Sequence, residues 1–133
     1  MKQRLIATVA ISVLWIILDY LFHGVILAGA YTATSAIWRP MAEMKPLLMN
    51  ATTVLTALVF VLTFCQMVPA KDRQKGIKIG LLVGLIVGIG NGLGSYCYLP
   101  ITTQIASVWF IAAVVKFTVA GAAVGTIVTK NID

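Results

Sequence analysis

The chain of 133 residues is 60% hydrophobic and 11% charged, with a net charge of +6 and a mean hydropathy of +0.99. A soluble domain carries about 25% charged residues, and so short a chain cannot hide this many apolar side chains in one small core. Composition therefore excludes an ordinary soluble domain and predicts a lipid bilayer as the main partner. The basic residues lie between apolar stretches rather than on a polar face, so they predict membrane orientation and no nucleic-acid partner.

Four apolar stretches occupy nearly the whole chain, at residues 5–29, 46–68, 78–100 and 103–128. Each is close to, or longer than, the roughly 20 residues that a helix needs to cross about 30 Å of hydrocarbon. The sequence therefore predicts an all-α fold, an integral membrane four-helix bundle that forms a single transmembrane domain over residues 1–133. The tight connection at residues 99–102 makes the last two helices an antiparallel hairpin.

Two ionisable residues, Asp19 and His23, interrupt the first stretch. They are four residues apart, so they project from one helix face, one turn apart. Ionisable groups inside a membrane indicate function by default, and this spacing suits a proton relay. A structural role, in which the aspartate only fixes the histidine tautomer, explains the spacing equally well. A metal site would need a further ligand such as Glu43 or Asn50, and we predict no metal and no other cofactor.

The segment at residues 30–45 is the only sizeable one on the predicted outer side. It mixes polar groups with an aromatic residue and methionines. We expect a short helix along the outer interface, anchored by Trp38 and Arg39, because tryptophan is enriched at the membrane–water boundary. Pro40 breaks this helix or caps a second turn.

Three motifs follow one another in the first third of the chain: Asp19-Tyr-Leu-Phe-His23-Gly24, Tyr31-x-Ala33-Thr34 and Trp38-Arg39-Pro40-x-x-Glu43-Met44. Together they resemble a group of small four-helix bacterial inner-membrane proteins. The resemblance implies a bacterial source, an inner-membrane location and four spans. It implies no activity, and it assigns no role to any residue.

The third stretch contains six glycines, and the fourth contains a spaced pair. The glycines that recur every four residues are Gly80, Gly84, Gly88, Gly121 and Gly125. This spacing places small residues on one helix face, where two backbones can approach closely. It predicts tight packing within the bundle or between copies. The alternating glycines at residues 88–94 also suit a kink or an unwound turn that lines a polar cavity.

Tyr96 and Tyr98 lie near the end of the third stretch and are typical of the interfacial aromatic belt. Cys97 is then close to the outer surface and Cys65 close to the inner one, so no disulfide is predicted. The single histidine has no Ser-His-Asp or Cys-His arrangement around it. The sequence therefore predicts no catalytic residue and no enzyme.

Lys116 lies inside the fourth stretch, about twelve residues from either end. At 1.5 Å per residue it is about 18 Å from both surfaces, too far for the side chain to reach water. A lysine at a helix centre costs about 2.5–3.5 kcal/mol, so we expect a partner. Asp19 and Asn91 fall at a similar counted depth. The sequence therefore predicts a polar intramembrane cluster of Asp19, His23, Asn91 and Lys116.

Orientation follows from the basic residues in the short loops. Arg39 and Lys45 lie on one side. Seven lie on the other: Lys2, Arg4, Lys71, Arg73, Lys75, Lys78 and Lys130. The side with seven is predicted to be cytoplasmic, and four spans then return the C-terminus to it, which gives an N-in/C-in topology.

Two classes of function fit these features. In the first, the protein is a small transporter or channel-like protein, in an oligomer, that moves a proton, an ion or a small solute past the polar cluster. In the second, it is a non-catalytic accessory subunit that packs against a larger membrane complex. The buried charges favour the first, because they are costly to keep for packing alone.

Overall fold

The computed structural model describes residues 1–68 and 72–128. Helices make up 88% of these residues, and none of them forms a strand. Four helices are long and apolar enough to cross a membrane: helix 1 (Lys2–Ile26), helix 2 (Pro46–Met67), helix 3 (Arg73–Tyr98) and helix 4 (Thr103–Ile127). The predicted all-α class and the four long helices are confirmed.

Local signals explain where helices 2, 3 and 4 begin. Helix 2 starts with Pro46, whose missing N–H costs nothing in a first turn. The Asp72 carboxylate accepts a hydrogen bond from the main-chain N–H of Lys75 at 2.8 Å, which caps helix 3 and lowers the pKa of Asp72. Thr102 caps helix 4 through the N–H of Ile105. Helix 3 therefore begins five residues before the predicted stretch (78 − 73), because the cap rather than hydropathy determines its start.

Helices 1 and 3 both change from α-helical to π-helical geometry. Helix 1 is α-helical over Lys2–Asp19 and π-helical over Tyr20–Ile26. Helix 3 is α-helical over Arg73–Gly88 and π-helical over Ile89–Gly94. The glycine-rich segment is thus wound more widely but stays helical, and the expected unwound turn is absent. π-Helical turns are rare and are frequent at functional sites.

Helices 3 and 4 form the closest contact in the bundle, and glycines line it. A Cβ added to Gly84 would lie 2.8 Å from the Cα of Val114, and one on Gly92 would lie 2.7 Å from the carbonyl of Ala106. The buried glycines of helix 3 on this face are Gly76, Gly80, Gly84, Gly88 and Gly92. The stripe is therefore one glycine longer at each end than the three glycines predicted, and it packs within the bundle.

Gly121 and Gly125 form the matching surface on helix 4. A Cβ on Gly121 would overlap the carbonyl of Gly76, and one on Gly125 would lie 2.5 Å from the carbonyl of Asp72. Both helices therefore need glycine where their backbones touch.

Helix 1 packs against helices 2 and 4 around aromatic side chains. The ring of Trp15 lies 4.8 Å from that of Phe117 and 6.3 Å from that of Phe60. Helix 2 is the least enclosed, with 22% of its most apolar window buried against 39% for helix 4. Its residues 46–56 are exposed except for the half-buried Thr53. The first half of helix 2 therefore stands apart from the other three helices.

The start of helix 1 and the end of helix 4 lie at the same end of the bundle. Ala7 shares a buried cluster with Val124, whereas Leu27 packs with Ile101 at the opposite end. The described basic residues at the first end, here called the basic end, are Lys2, Arg4, Arg73, Lys75 and Lys78. Two further lysines counted for the topology, Lys71 and Lys130, are outside the described residues.

Candidate functional site

Lys116 of helix 4 contacts Asp19 of helix 1. Its Nζ lies 2.5 Å from Asp19 Oδ1, which makes a hydrogen-bonded ion pair. The two side chains are 19% and 31% exposed, respectively. Asp19 is the last residue of the α-helical part of helix 1, so the carboxylate lies where the helix begins to widen. The contact expected from the two counted depths is present.

Trp15 holds the lysine from the side facing the basic end. Its indole Nε1–H donates to the main-chain carbonyl of Lys116 at 2.8 Å, and Lys116 Nζ lies 5.3 Å from the ring centre. This distance gives a cation–π attraction to the ammonium. Phe60 and Phe117 pack on the same indole. An aromatic layer of Trp15, Phe60 and Phe117 therefore separates the ion pair from the basic end.

His23 extends the ion pair away from the basic end. Its Nε2 lies 3.9 Å from Asp19 Oδ1, and its Nδ1 lies 2.6 Å from the hydroxyl of Tyr31. The same hydroxyl accepts a hydrogen bond from Trp109 Nε1 at 2.7 Å. A row of polar side chains thus lies between helices 1 and 4, with hydrogen bonds at every step except the 3.9 Å step from Asp19 to His23. This row, here called the polar line, consists of Lys116, Asp19, His23, Tyr31 and Trp109.

An aromatic cluster of Tyr31, Trp38 and Trp109 surrounds the far end of the polar line. The ring centres of Tyr31 and Trp38 are 5.2 Å apart, and those of Trp38 and Trp109 are 6.0 Å apart. Trp38 Nε1 donates to the hydroxyl of Thr34 at 2.8 Å. Burial in this cluster raises the pKa of Tyr31, and the hydrogen bond from Trp109 partly opposes the rise. The Tyr31 hydroxyl therefore keeps its proton at neutral pH.

The segment between helices 1 and 2 is less regular than predicted. It contains a short α-helix, Ala28–Ala33, and two 3₁₀ turns, Ser35–Ile37 and Met41–Glu43. Trp38, expected as an interface anchor, is half-buried in the aromatic cluster. Arg39, Tyr96 and Tyr98 are exposed, as anchors in a membrane interface would be.

Asn91 does not join the polar line. It is exposed, and its neighbour Gly92 packs against Ala106 and Phe110, well away from Lys116. Ala106 precedes Lys116 by ten residues on helix 4 (116 − 106), or about 15 Å at 1.5 Å per residue. Depths counted from the ends of the apolar stretches ignore how far the helices are displaced along one another, and the structure does not place Asn91 in the predicted cluster.

The structure adds three residues that the sequence did not assign to the cluster. Trp15 precedes Asp19 by four residues, and Trp109 precedes Lys116 by seven, so each tryptophan shares a helix face with its charged neighbour. These spacings could have predicted that both tryptophans lie beside the charged residues. Tyr31 had no such signal, because it lies on a separate short helix whose direction no pattern in the sequence specifies.

The groups in the polar line can exchange protons with one another. Across residues 1–68 and 72–128, no three His, Cys, Asp or Glu side chains are grouped so that they could hold a metal ion. The line contains an ammonium, a carboxylate, an imidazole and a phenol in sequence, which are acid and base groups in direct or near contact.

Comparison with known proteins adds no family to this picture. The chemistry of the site therefore rests on its own residues, and the resemblance of residues 19–44 to small bacterial inner-membrane proteins stays an expectation. No protein-family model, curated protein or solved structure matches the chain.

Proposed function

We propose that the chain is a bacterial inner-membrane protein, with both ends in the cytoplasm, that moves a proton, an ion or a small solute across the bilayer along the polar line. The observation that carries the proposal is the Lys116–Asp19 ion pair, which lies between two long apolar helices and continues into His23. We propose no enzymatic activity and no cofactor.

The energetic cost of the pair supports a role beyond packing. Each charge at the centre of a membrane helix costs about 2.5–3.5 kcal/mol on insertion scales. Replacing a buried ion pair with apolar residues of similar volume is often neutral or stabilising. A pair that served only to join two helices would therefore be an expensive choice.

Partial exposure of the line supports the same proposal. The side chains of Asp19 and His23 are 31% and 41% exposed, so the ion pair can be reached from outside the bundle along its His23 side. Within a membrane span this surface faces lipid or another chain, where an uncovered charge is costly, so the exposed side of the pair calls for a polar neighbour such as a second copy or water in a path.

The proposal includes assembly of several copies. Four helices enclose little space, and the side chains at residues 46–56 of helix 2 are exposed apart from the half-buried Thr53. A second copy at this surface would complete the wall of a narrow path.

A flux assay tests the proposal. The purified protein is reconstituted in liposomes, and ion or proton entry is followed under an imposed gradient and membrane potential. We expect flux from the wild type and none from the double variant Asp19→Asn/Lys116→Met. Thr126→Val is the control, because Thr126 is exposed near the basic end and bonds only within its own helix. A wild-type protein that conducts no proton, ion or solute would refute transport.

The exposed half of helix 2 also favours the second candidate, an accessory subunit. Its residues 46–56 offer leucine, methionine and threonine side chains to a partner helix. If this is the role, the double variant Asp19→Asn/Lys116→Met should retain whatever assembly the native protein makes. Purification from membranes under mild detergent, followed by mass measurement of the assembly, distinguishes a homo-oligomer from a complex with other chains.

A further inference from the structure

Trp109 fixes the direction of the hydrogen bonds at the far end of the polar line. An indole N–H can only donate, so the Tyr31 oxygen must be the acceptor at 2.7 Å. The Tyr31 hydroxyl has one proton of its own, and the neighbouring polar atom is His23 Nδ1 at 2.6 Å. We infer that Tyr31 donates to His23, because its own proton then has an acceptor within hydrogen-bond distance.

This direction determines the histidine tautomer. A nitrogen that accepts a hydrogen bond carries no proton, so neutral His23 has its proton on Nε2. Nε2 is the nitrogen that faces Asp19, at 3.9 Å from Oδ1. A small rotation of the ring is enough to shorten this distance to that of a hydrogen bond. The imidazole is thus oriented with an acceptor towards Tyr31 and a donor towards the carboxylate.

Close ring packing argues against a larger transported species on this route. His23 and Tyr31 stack with ring centres 6.0 Å apart, and Trp38 lies 5.2 Å from Tyr31. These separations are those of aromatic rings in contact, so no hydrated ion or solute fits between them. A proton needs only the hydrogen bonds.

We propose that the transported species is the proton, and that it enters the ion pair through Tyr31 and His23, with Trp109 as the positioning residue that orients the Tyr31 hydroxyl. This inference rests on the proposed transport function and names its substrate. The titratable or charged groups that face His23 in this arrangement are Tyr31, Asp19 and Lys116.

The transfer conserves atoms and charge. A hydronium ion at the free lone pair of the Tyr31 oxygen gives it a proton, while the original hydroxyl proton moves to His23 Nδ1 and forms an imidazolium. The Nε2 proton then passes to the Asp19 carboxylate. The hydronium becomes water, Asp19 becomes neutral, and His23 is again neutral with its proton on Nδ1. Rotation of the ring then exchanges the positions of its two nitrogens, so that Nδ1–H faces Asp19 and the bare Nε2 faces Tyr31 for the next proton.

Protonation of Asp19 removes the counterion of Lys116. The ammonium then has only the Trp15 ring and its remaining neighbours to stabilise it, so the contact between helices 1 and 4 is weakened. The aromatic layer of Trp15, Phe60 and Phe117 separates Asp19 from the basic end. Release of the proton to that side therefore requires the aromatic layer to move. The weakened contact between helices 1 and 4 that follows protonation of Asp19 allows this movement.

The test uses Tyr31→Phe, which removes the hydroxyl and retains the ring that packs on Trp38 and His23. Thr34→Val is the matched control, because it removes the neighbouring hydrogen bond to Trp38, which is outside the polar line. Proton entry into liposomes is measured with an internal pH dye, and potassium and sodium entry are measured in parallel. We expect proton flux to fall by at least about tenfold in Tyr31→Phe and to stay near the wild-type rate in Thr34→Val.

The histidine tautomer gives a second readout that needs no transport. His23 is the only histidine, so its ¹⁵N signals in the labelled protein need no assignment. We expect the wild type to show protonated Nε2 and bare Nδ1 at neutral pH. Tyr31→Phe should reduce this bias, and so should Trp109→Phe, which removes the donor but keeps a ring.

The outcomes separate the two proposals. Proton flux that is unchanged in Tyr31→Phe would overturn the route while transport stands, and so would flux of potassium or sodium without protons. Absence of all flux in the wild type would overturn transport and the route with it. The ¹⁵N signals would then still report whether the tautomer derived from Trp109 is correct, and protonated Nδ1 in the wild type would overturn the hydrogen-bond direction.

Discussion

At the scale of single residues, Lys116 is held through both its main chain and its side chain. Trp15 donates to its carbonyl and lies beside its ammonium, and Asp19 supplies the opposite charge. The main chain is thus held by the indole N–H, and the charged head by the indole π face and a carboxylate, all of which come from helix 1. Only the carboxylate balances the charge.

We predict that Lys116→Met and Asp19→Asn each lower the stability of the protein, because each leaves one charge without its partner. Removing one member of a fully buried pair costs about 3–5 kcal/mol, and partial exposure makes this an upper limit here. The double variant should recover much of the loss. Thermal unfolding in detergent measures the effect.

Lys78→Met is the control for the loss of a lysine, since Lys78 is exposed on helix 3 and its removal should change stability little. Additive losses in the double variant, with no recovery, would show that the two charges do not stabilise one another.

The members of the polar line differ in how far the sequence could predict them. Lys116, Asp19 and His23 were identifiable because a charge or imidazole inside an apolar stretch is rare enough to mark a site. Trp109 was marked only by its spacing of seven residues from Lys116, and Tyr31 was not marked at all, since tyrosine is ordinary near a membrane interface. Only the structure shows that a helix of six residues, Ala28–Ala33, turns the Tyr31 hydroxyl towards His23.

At the scale of elements, hydropathy identified the four helices but misplaced one boundary that mattered. The apolar run of helix 3 begins after its lysines, whereas the helix begins at Arg73 behind the Asp72 cap. Helix 3 is also displaced along helix 4, with Gly92 against Ala106, ten residues before Lys116 (116 − 106), and this register leaves Asn91 outside the cluster. Depth counted along a helix is therefore only as accurate as the helix start, and caps locate a start better than hydropathy does.

The glycine stripe supplies the prediction at this scale. Gly84→Leu should destabilise the protein or disrupt its assembly, because a Cβ there would lie 2.8 Å from the backbone of Val114 and neither helix can yield locally. Overpacking lowers the free energy of unfolding by about 1–3 kcal/mol, and by more where the added atoms meet backbone.

Gly90→Leu is the matched control on the same helix, since a Cβ at Gly90 meets nothing within 4 Å. Circular dichroism on heating and size-exclusion chromatography measure both variants. Equal behaviour of the two would mean that helices 3 and 4 do not approach as closely as the structure has them.

At the scale of the whole molecule, helices 3 and 4 form a close pair along their glycines, and helix 1 packs against helices 2 and 4. The polar line lies between helices 1 and 4. Helix 2 packs through its second half, from Ala57 to Cys65, and leaves its first half exposed. Sequence patterns could not predict this asymmetry, because helix 2 is as apolar as its neighbours, with a hydropathy of 2.0 against 1.8–2.3 for the others.

The last prediction is the orientation of the whole molecule. The start of helix 1 and the end of helix 4 share the basic end. Five described basic residues lie there, compared with two, Arg39 and Lys45, at the opposite end. Because basic residues are retained in the cytoplasm, both chain ends should be cytoplasmic. A reporter fused after residue 133 should be active only inside the cell. In a background with Cys65 and Cys97 replaced by alanine, Ser35→Cys should react with an impermeant thiol reagent in intact cells. Gln74→Cys, exposed at the basic end, should react only after lysis, and the reverse pattern of labelling would invert the topology.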